Sequence, residues 1–206
     1  MSRLSHSPEF IHQALAEHAK SDNFVKQLLE ISKYYHSESN KWKQDVYLGI
    51  LRMDYMIEKD EHKIKMIEFN TASSSFGVLF DLTHSLHRYL FTKYKDVIKK
   101  PAENIMERNN FKEKAAEAFK QAHLQYLKHD YSGIEEGDTE ESKGKCLEER
   151  NEVGILFVVQ ETERNVFDQR PLEYELMKHD ITCLRMTFLE IYHNSSLTQN
   201  GQLKVY

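Results

Sequence analysis

Lys65-Met66-Ile67-Glu68-Phe69-Asn70-Thr71-Ala72-Ser73-Ser74-Ser75-Phe76-Gly77 decides how this chain is read. An apolar strand runs into a carboxylate and an amide two residues apart, and hydroxyls and a glycine follow. In a β-strand the side chains at i and i+2 share a face, so Glu68 and Asn70 can present two oxygens to one point. Paired oxygen donors suit a hard cation such as Mg²⁺, which takes one or two protein oxygens and leaves its other positions to phosphate and water. The serines offer small donors and acceptors at the strand's end, where a polar ligand can be held.

Working outward, Val46 to Met56 is apolar and aromatic-rich and reads as a first strand, with Arg52 and Asp54 two residues apart. Glu58 to His62 is a charged turn, and Ile64 to Phe69 is a second strand. Two strands so close in sequence pair antiparallel. That pairing can bring Arg52 near the Glu68/Asn70 end, with the register left open. Before the hairpin, Phe10, Ile11, Ala14, Leu15 and His18 fall at helical spacing, as do Phe24, Leu28, Ile31 and Tyr35, with Asp22 where an N-cap belongs. After it, Val78 to Lys99 reads as a helix with Leu79, Leu82, Leu86, Leu90 and Tyr94 along one stripe. Pro101 to His129 reads as another. Tyr131 to Asn151 is rich in Glu, Lys, Gly and Ser and reads as a solvated loop or linker.

Beyond that segment the pattern changes. Val153 to Gln160 is a continuous apolar run of the kind found in buried parallel strands. Asn165 to Lys178 has helical spacing, Ile181 to Met186 is a strand, Phe188 to Tyr192 a short helix, and Leu203 to Tyr206 begins a further strand. Strand–helix–strand of this kind is a βαβ unit with parallel strands, whose ligands gather at the strands' carboxyl ends. Glu161 to Gln169 occupies that position. The fold class is therefore α/β, organised as 1–150 (helices and a β-hairpin) and 151–206 (the start of a βαβ domain).

With 206 residues, 40% hydrophobic and 30% charged, the chain can bury a sizeable core. A net charge of -5 argues against nucleic acid or an anionic membrane as the main partner. No apolar run approaches the roughly 20 residues that span a bilayer. Met1 to Phe10 shows no secretory signal, and Cys146 and Cys183 match no metal or redox spacing. A reducing, cytoplasmic compartment is expected. Asn194-Ser195-Ser196 fits a glycosylation pattern but lacks a signal peptide to give it meaning.

Four segments together resemble the eukaryotic type of glutathione synthetase. Leu51-Arg52-Met53-Asp54-Tyr55-Met56 is similar to the family's arginine-bearing strand. Ile67 to Gly77 looks like its metal and substrate segment, and His87-Arg88 closes the following helix pattern as in the family. Glu163-Arg164-Asn165-Val166-Phe167-Asp168-Gln169-Arg170 resembles its most recognisable substrate-binding stretch. The resemblance implies an ATP-grasp-type ligase that joins γ-glutamylcysteine and glycine, using ATP and Mg²⁺, through an acyl phosphate. By position it implies Glu68 and Asn70 as Mg²⁺ ligands. It implies Arg52 as the cation facing the transferring phosphoryl group, with a catalytic and a substrate-binding part. Ser73 and Ser75 would bind the peptide, and Glu163, Asn165 and Gln169 its γ-glutamyl end.

The departures shape the expectation as well. Family members are more than twice this length, and the family's glycine-rich lid, ATP lysines and third metal carboxylate are expected beyond Tyr206. The family is a homodimer, but its dimer-forming region is expected to be absent here. Met53 stands where a small polar residue is usual. The chain is thus expected to be an internal piece, inactive alone. The alternative reading is a non-catalytic relative that binds a glutathione-like peptide or a full-length subunit. Plainer readings stand beside these: Arg52 and Asp54 as an ordinary strand-face ion pair, Asn165 as a helix N-cap, and His84 and His87 as a packed or solvated pair.

Overall fold

The computed structural model describes residues 7–37, 46–98, 110–130, 152–199 and 201–206. The chain divides into two compact units, Met1–Tyr47 and Leu48–Tyr206. In the first, α1 (Pro8–Leu15) starts on a proline, whose missing N–H costs nothing in a first helical turn. A short 3-10 turn leads to α2 (Asn23–Tyr35). Asp22 caps α2 as its sequence position requires, its Oδ1 accepting from the N–H groups of Phe24 at 2.9 Å and Val25 at 3.1 Å. His12 Nε2 and Ser32 Oγ, 2.9 Å apart, tie the two helices.

The second unit opens with the hairpin of β1 (Arg52–Ile57) and β2 (Ile64–Asn70), paired antiparallel. Residues 46–51, expected as strand, have no regular structure, so pairing begins at Arg52 itself. The register sets Arg52 opposite Asn70 and Asp54 opposite Glu68, then shifts between Asp54 and Tyr55. Helix α3 (Gly77–Lys93) follows, then α4 (Phe111–Asp130), whose expected start from Pro101 lies outside the described residues. The loop expected at 131–151 also lies outside them.

The βαβ unit is present as read: β3 (Ile155–Val158), α5 (Val166–Met177) and β4 (Cys183–Met186), with the strands parallel. A short α6 (Phe188–His193) follows. The last strand, β6 (Leu203–Val205), does not join the parallel pair. It folds back antiparallel on β5 (Ser195–Leu197).

Among the described residues of this unit, two clusters make the core. Val78 of α3, Ala115 of α4 and Leu172 of α5 pack with Phe111 and Phe119. Ala116, Leu176 and Ile181 pack with Phe119 and the β3/β4 side chains of Ile155, Phe157 and Cys183. The consecutive alanines of α4 let α5 approach closely, and Phe119 bridges both clusters. Leu176 is wholly buried, a burial that stabilises by about 1.5–3 kcal/mol.

The leucine stripe that marks α3 as a helix is not its buried face. Val78 and His84 are buried, while Leu82 and Leu86 are 54% and 53% exposed. The reason is the helix's anchor at its first turn, described below, which sets its rotation independently of its leucines. Phe167 and Met177 of α5 are likewise exposed, and Leu172 and Leu176 carry the packing. Among the described residues no helix is long and apolar enough to cross a membrane.

Candidate functional site

The hairpin register places Arg52, Asp54, Glu68 and Asn70 on one face, because cross-strand partners project together. Arg52 meets Asp54 in a two-pronged pair, Nε to Oδ1 at 2.8 Å and Nη2 to Oδ2 at 2.9 Å. The Asn70 amide donates to Asp54 Oδ2 at 3.3 Å and lies 3.5 Å from Glu68 Oε1. Arg52 holds the Asp54 carboxyl below its usual range, chiefly through these hydrogen bonds, and Asp54 raises the guanidinium in turn. The Arg52 guanidinium also lies over the Phe76 ring, 5.6 Å from its centroid.

Past β2 the chain turns sharply. Ser73 and Phe76 both take left-handed backbone, at φ 51° and 77°, a conformation costing a non-glycine residue about 1–2 kcal/mol. Ser74 Oγ donates back to the Asn70 carbonyl at 3.0 Å. Phe76 occupies the N-cap position of α3, and its side chain can offer no cap. The acceptor comes instead from 92 residues away. Asp168 Oδ2 accepts from the N–H of Phe76 at 2.7 Å, and Oδ1 from those of Val78 and Leu79 at 2.8 Å and 3.0 Å. Buried Asp168 thus satisfies the open donors of α3 and places a negative charge at the positive end of its dipole. Gly77 is required here, since a Cβ at that position collides with the Phe111 ring.

Because Asp168 lies in the first turn of α5, this anchor brings two distant stretches to one place. Ser73, Ser75, Glu163, Asn165 and Gln169 line a single cleft of about 1190 Å³. Its floor includes Val158, Val159 and Gln160 at the carboxyl end of β3, and Thr187 to Leu189 just past that of β4. The carboxyl ends of a parallel pair are where such units hold ligands. Arg52 lines an adjoining cleft of about 570 Å³, whose wall of Ser74, Ser75 and Phe76 is shared with the first. Glu68 and Asn70 line neither cleft and stand beside Arg52 on the hairpin face.

Within the larger cleft Glu163 Oε1 accepts from the Asn165 N–H at 2.7 Å. That bond first, then the Gln169 amide and the Gln160 backbone, lowers its carboxyl below the ordinary range, so it is charged at neutral pH. Asn165 sits at the N-cap of α5, but its side chain makes no capping bond. The plainer N-cap reading of its amide does not hold. Gln169 Oε1 accepts from Arg185 Nη2 at 2.7 Å. Arg185 and Asp168 belong to the site's framework and carry no local sequence signal of it. Asp168 lies inside the stretch already singled out, but its partners are far away along the chain.

For a divalent cation, the hairpin face offers oxygen donors of the right kind. Asn70 turns its amide nitrogen towards Asp54 and Glu68, leaving its carbonyl oxygen for another partner. Among the described residues no group of three or more His, Cys, Asp or Glu gathers as a self-sufficient metal cage. The arrangement fits Mg²⁺ held by one or two protein oxygens together with phosphate. His84 is buried and His87 exposed, so they form no pair.

These features define a mixed α/β domain with a cleft at its strand ends, where a few charged, amide and hydroxyl side chains stand among apolar walls. The chain belongs to the eukaryotic glutathione synthase family, whose ATP-binding domain model matches residues 1–204. It is 35% identical to the chloroplastic glutathione synthetase of Solanum lycopersicum over 100% of the chain and 33% of the relative. With the Homo sapiens glutathione synthetase it is 32% identical over 98% of the chain and 38% of the relative. The chain therefore spans about a third of the length of these relatives. Its fold is similar to that of a solved glutathione synthetase-like effector from Globodera pallida in its apo form. There the TM-score is 0.56 at 19% identity, covering 75% of this chain and 33% of the other.

Proposed function

We propose that the chain forms the peptide-binding side of a glutathione-synthetase ligase site. In that reaction ATP phosphorylates the carboxylate of γ-glutamylcysteine, and the amine of glycine displaces phosphate from the acyl phosphate. The observation that supports this reading is the meeting of Ser73 and Ser75 with Glu163, Asn165 and Gln169 in one cleft. Each group matches a part of the peptide. The charged Glu163 takes the α-ammonium, the Asn165 and Gln169 amides take the adjacent carboxylate, and the two serines hydrogen-bond the peptide groups.

Arg52 supplies the fixed cation for charge that develops as the phosphoryl group transfers, with Asp54 holding its plane. Glu68 and the Asn70 carbonyl would hold Mg²⁺, which would neutralise phosphate charge. ATP is the co-substrate. Because the chain spans about a third of its relatives, the complete reaction is proposed for the family enzyme, and this chain's own share is binding the peptide and presenting Arg52, Glu68 and Asn70 beside it. The division at residue 150, and the cytoplasmic setting, are likewise proposals.

Calorimetric titration of γ-glutamylcysteine into the chain tests the reading. Binding is expected, weakened about tenfold or more by Glu163→Gln, which removes the charge facing the ammonium. Absence of binding, or no effect of that substitution, refutes it. A coupled assay for ADP release separates ligase from binding module: peptide bound without substrate-dependent ADP supports the non-catalytic alternative for the chain by itself.

A further inference from the structure

We propose that Arg185 is a positioning residue of the cleft, fixing the Gln169 amide so that its N–H groups face Glu163 and the ligand. This rests on the peptide-binding reading above and names a group that the reading does not use. Arg185 lies on β4 with its side chain only 12% exposed. It reaches Gln169 with one guanidinium nitrogen and Glu173 with another. Nη2 donates to Gln169 Oε1 at 2.7 Å, while Nη1 donates to Glu173 Oε1.

Glu173, whose side chain is 5% exposed, is held on its other oxygen by Arg170 Nη1 at 2.8 Å. The guanidinium is thus clamped on a buried carboxylate that a second arginine, Arg170, grips from its other oxygen. A guanidinium has five donors and no acceptor. Whatever faces it must be an oxygen, so the amide of Gln169 has one allowed orientation. Its nitrogen then points away from Arg185, towards Glu163, whose charged form it also favours.

The consequence is chemical. An unanchored glutamine amide presents oxygen or nitrogen to a ligand with nearly equal ease. Turned the wrong way, Gln169 sets its carbonyl oxygen beside the Glu163 carboxylate and before an incoming ligand carboxylate, two repulsive contacts. Arg185 removes that state without touching the ligand. It also couples β4 to α5 through Gln169, which lines the cleft. A planar fork spanning two acceptors is something lysine cannot reproduce, because one ammonium follows the buried charge and releases the amide.

The test uses the full chain in two variants. Arg185→Lys keeps a positive charge for Glu173. Arg185→Met combined with Glu173→Gln removes the buried pair together, leaving no buried charge unpaired, since the half-exposed Arg170 that also meets Glu173 is reached by solvent. Nitrogen-15 NMR of the Gln169 side-chain NH₂ group, assigned by its loss in Gln169→Leu, reads the orientation directly in the ligand-free protein. The expected result is a shifted Gln169 NH₂ pair with faster exchange in both variants, while circular dichroism stays that of the wild type. Titration with γ-glutamylcysteine is expected to show affinity falling about tenfold, the usual cost of losing a supporting partner.

Unchanged Gln169 signals in folded variants overturn the positioning role, whether or not the peptide binds. Shifted signals in a protein that binds no γ-glutamylcysteine support the positioning and overturn the peptide reading. Shifted signals with peptide affinity at the wild-type value also overturn the proposal, since the fixed amide then does nothing for the ligand.

Discussion

Replacing Asp168 tests the joint on which the site is built. Its two oxygens hold three backbone N–H groups at 2.7–3.0 Å. In Asp168→Ala all three donors lose their acceptor. Val78 is 1% exposed, so its N–H cannot recover a bond to water, an unsatisfied donor costing about 1–3 kcal/mol. The donors of Phe76 and Leu79 lie in partly open surroundings and lose less. Phe76 regains some of the strain of its left-handed backbone once released. The net expectation is destabilisation of the Leu48–Tyr206 unit by about 3 kcal/mol.

Asp168→Asn is the sharper probe because it preserves volume. Its carbonyl oxygen can keep Val78 and Leu79, but its NH₂ then confronts the N–H of Phe76, donor against donor. Loss of the charge at the helix end adds to this, for about 2 kcal/mol in all. Urea unfolding followed at 222 nm measures both variants, read from the midpoint at constant slope. Hydrogen exchange locates the effect, with Val78 and Leu79 expected to lose protection ahead of the α4 amides. An Asn variant within about 0.5 kcal/mol of wild type, with Val78 still protected, refutes the argument.

Two further substitutions follow from the same structure. Glu175, with its side chain 11% exposed, takes Lys178 Nζ at 2.7 Å and Lys112 Nζ at 2.9 Å on one oxygen, and these in that order hold its carboxyl below the ordinary 4.5. A depressed carboxyl adds stability that is complete above the unfolded value and lost as pH falls through the folded one. The melting temperature should therefore fall more steeply with acid, below about pH 4.5, in wild type than in Glu175→Gln; parallel profiles count against it. Thr187 and Glu190 form a reciprocal cap on α6, with the Thr187 N–H to Glu190 Oε2 at 2.7 Å and the Glu190 N–H to Thr187 Oγ1 at 3.1 Å. Thr187→Ala should cost about 1 kcal/mol by urea unfolding; a change indistinguishable from zero denies the cap any part in stability.

Much of the architecture was legible because it rests on local rules. Asp22 before α2, the apolar runs of β1 and β2 flanking a charged turn, and apolar β3 followed by a helix and β4 each signal their element within a few residues. The α3 leucines marked the helix but not its seat, because periodicity reports which side of a helix is apolar, not what meets it. Leu82 and Leu86 face outward, since the anchor at Asp168 and the packing of Val78 on Ala115 and Leu172 orient that helix. The shared face of Arg52 with Asn70 was foreseeable as an antiparallel possibility. Its register, and the shift after Asp54, depended on how the whole hairpin pairs.

The sequence by itself determined most of the elements, their order, the parallel βαβ unit and the residue types that carry the chemistry, because these follow from spacing, capping and side-chain inventory; the short β5 that pairs with β6 gave no such signal. Only the tertiary structure decided that Asp168 caps a helix some 90 residues earlier and that Arg185 orients Gln169. It also settled that the serine and glutamate stretches border one cleft. Those are long-range hydrogen bonds whose partners leave no trace in each other's neighbourhood, and they exist only once α3, α4 and α5 have packed around a common core.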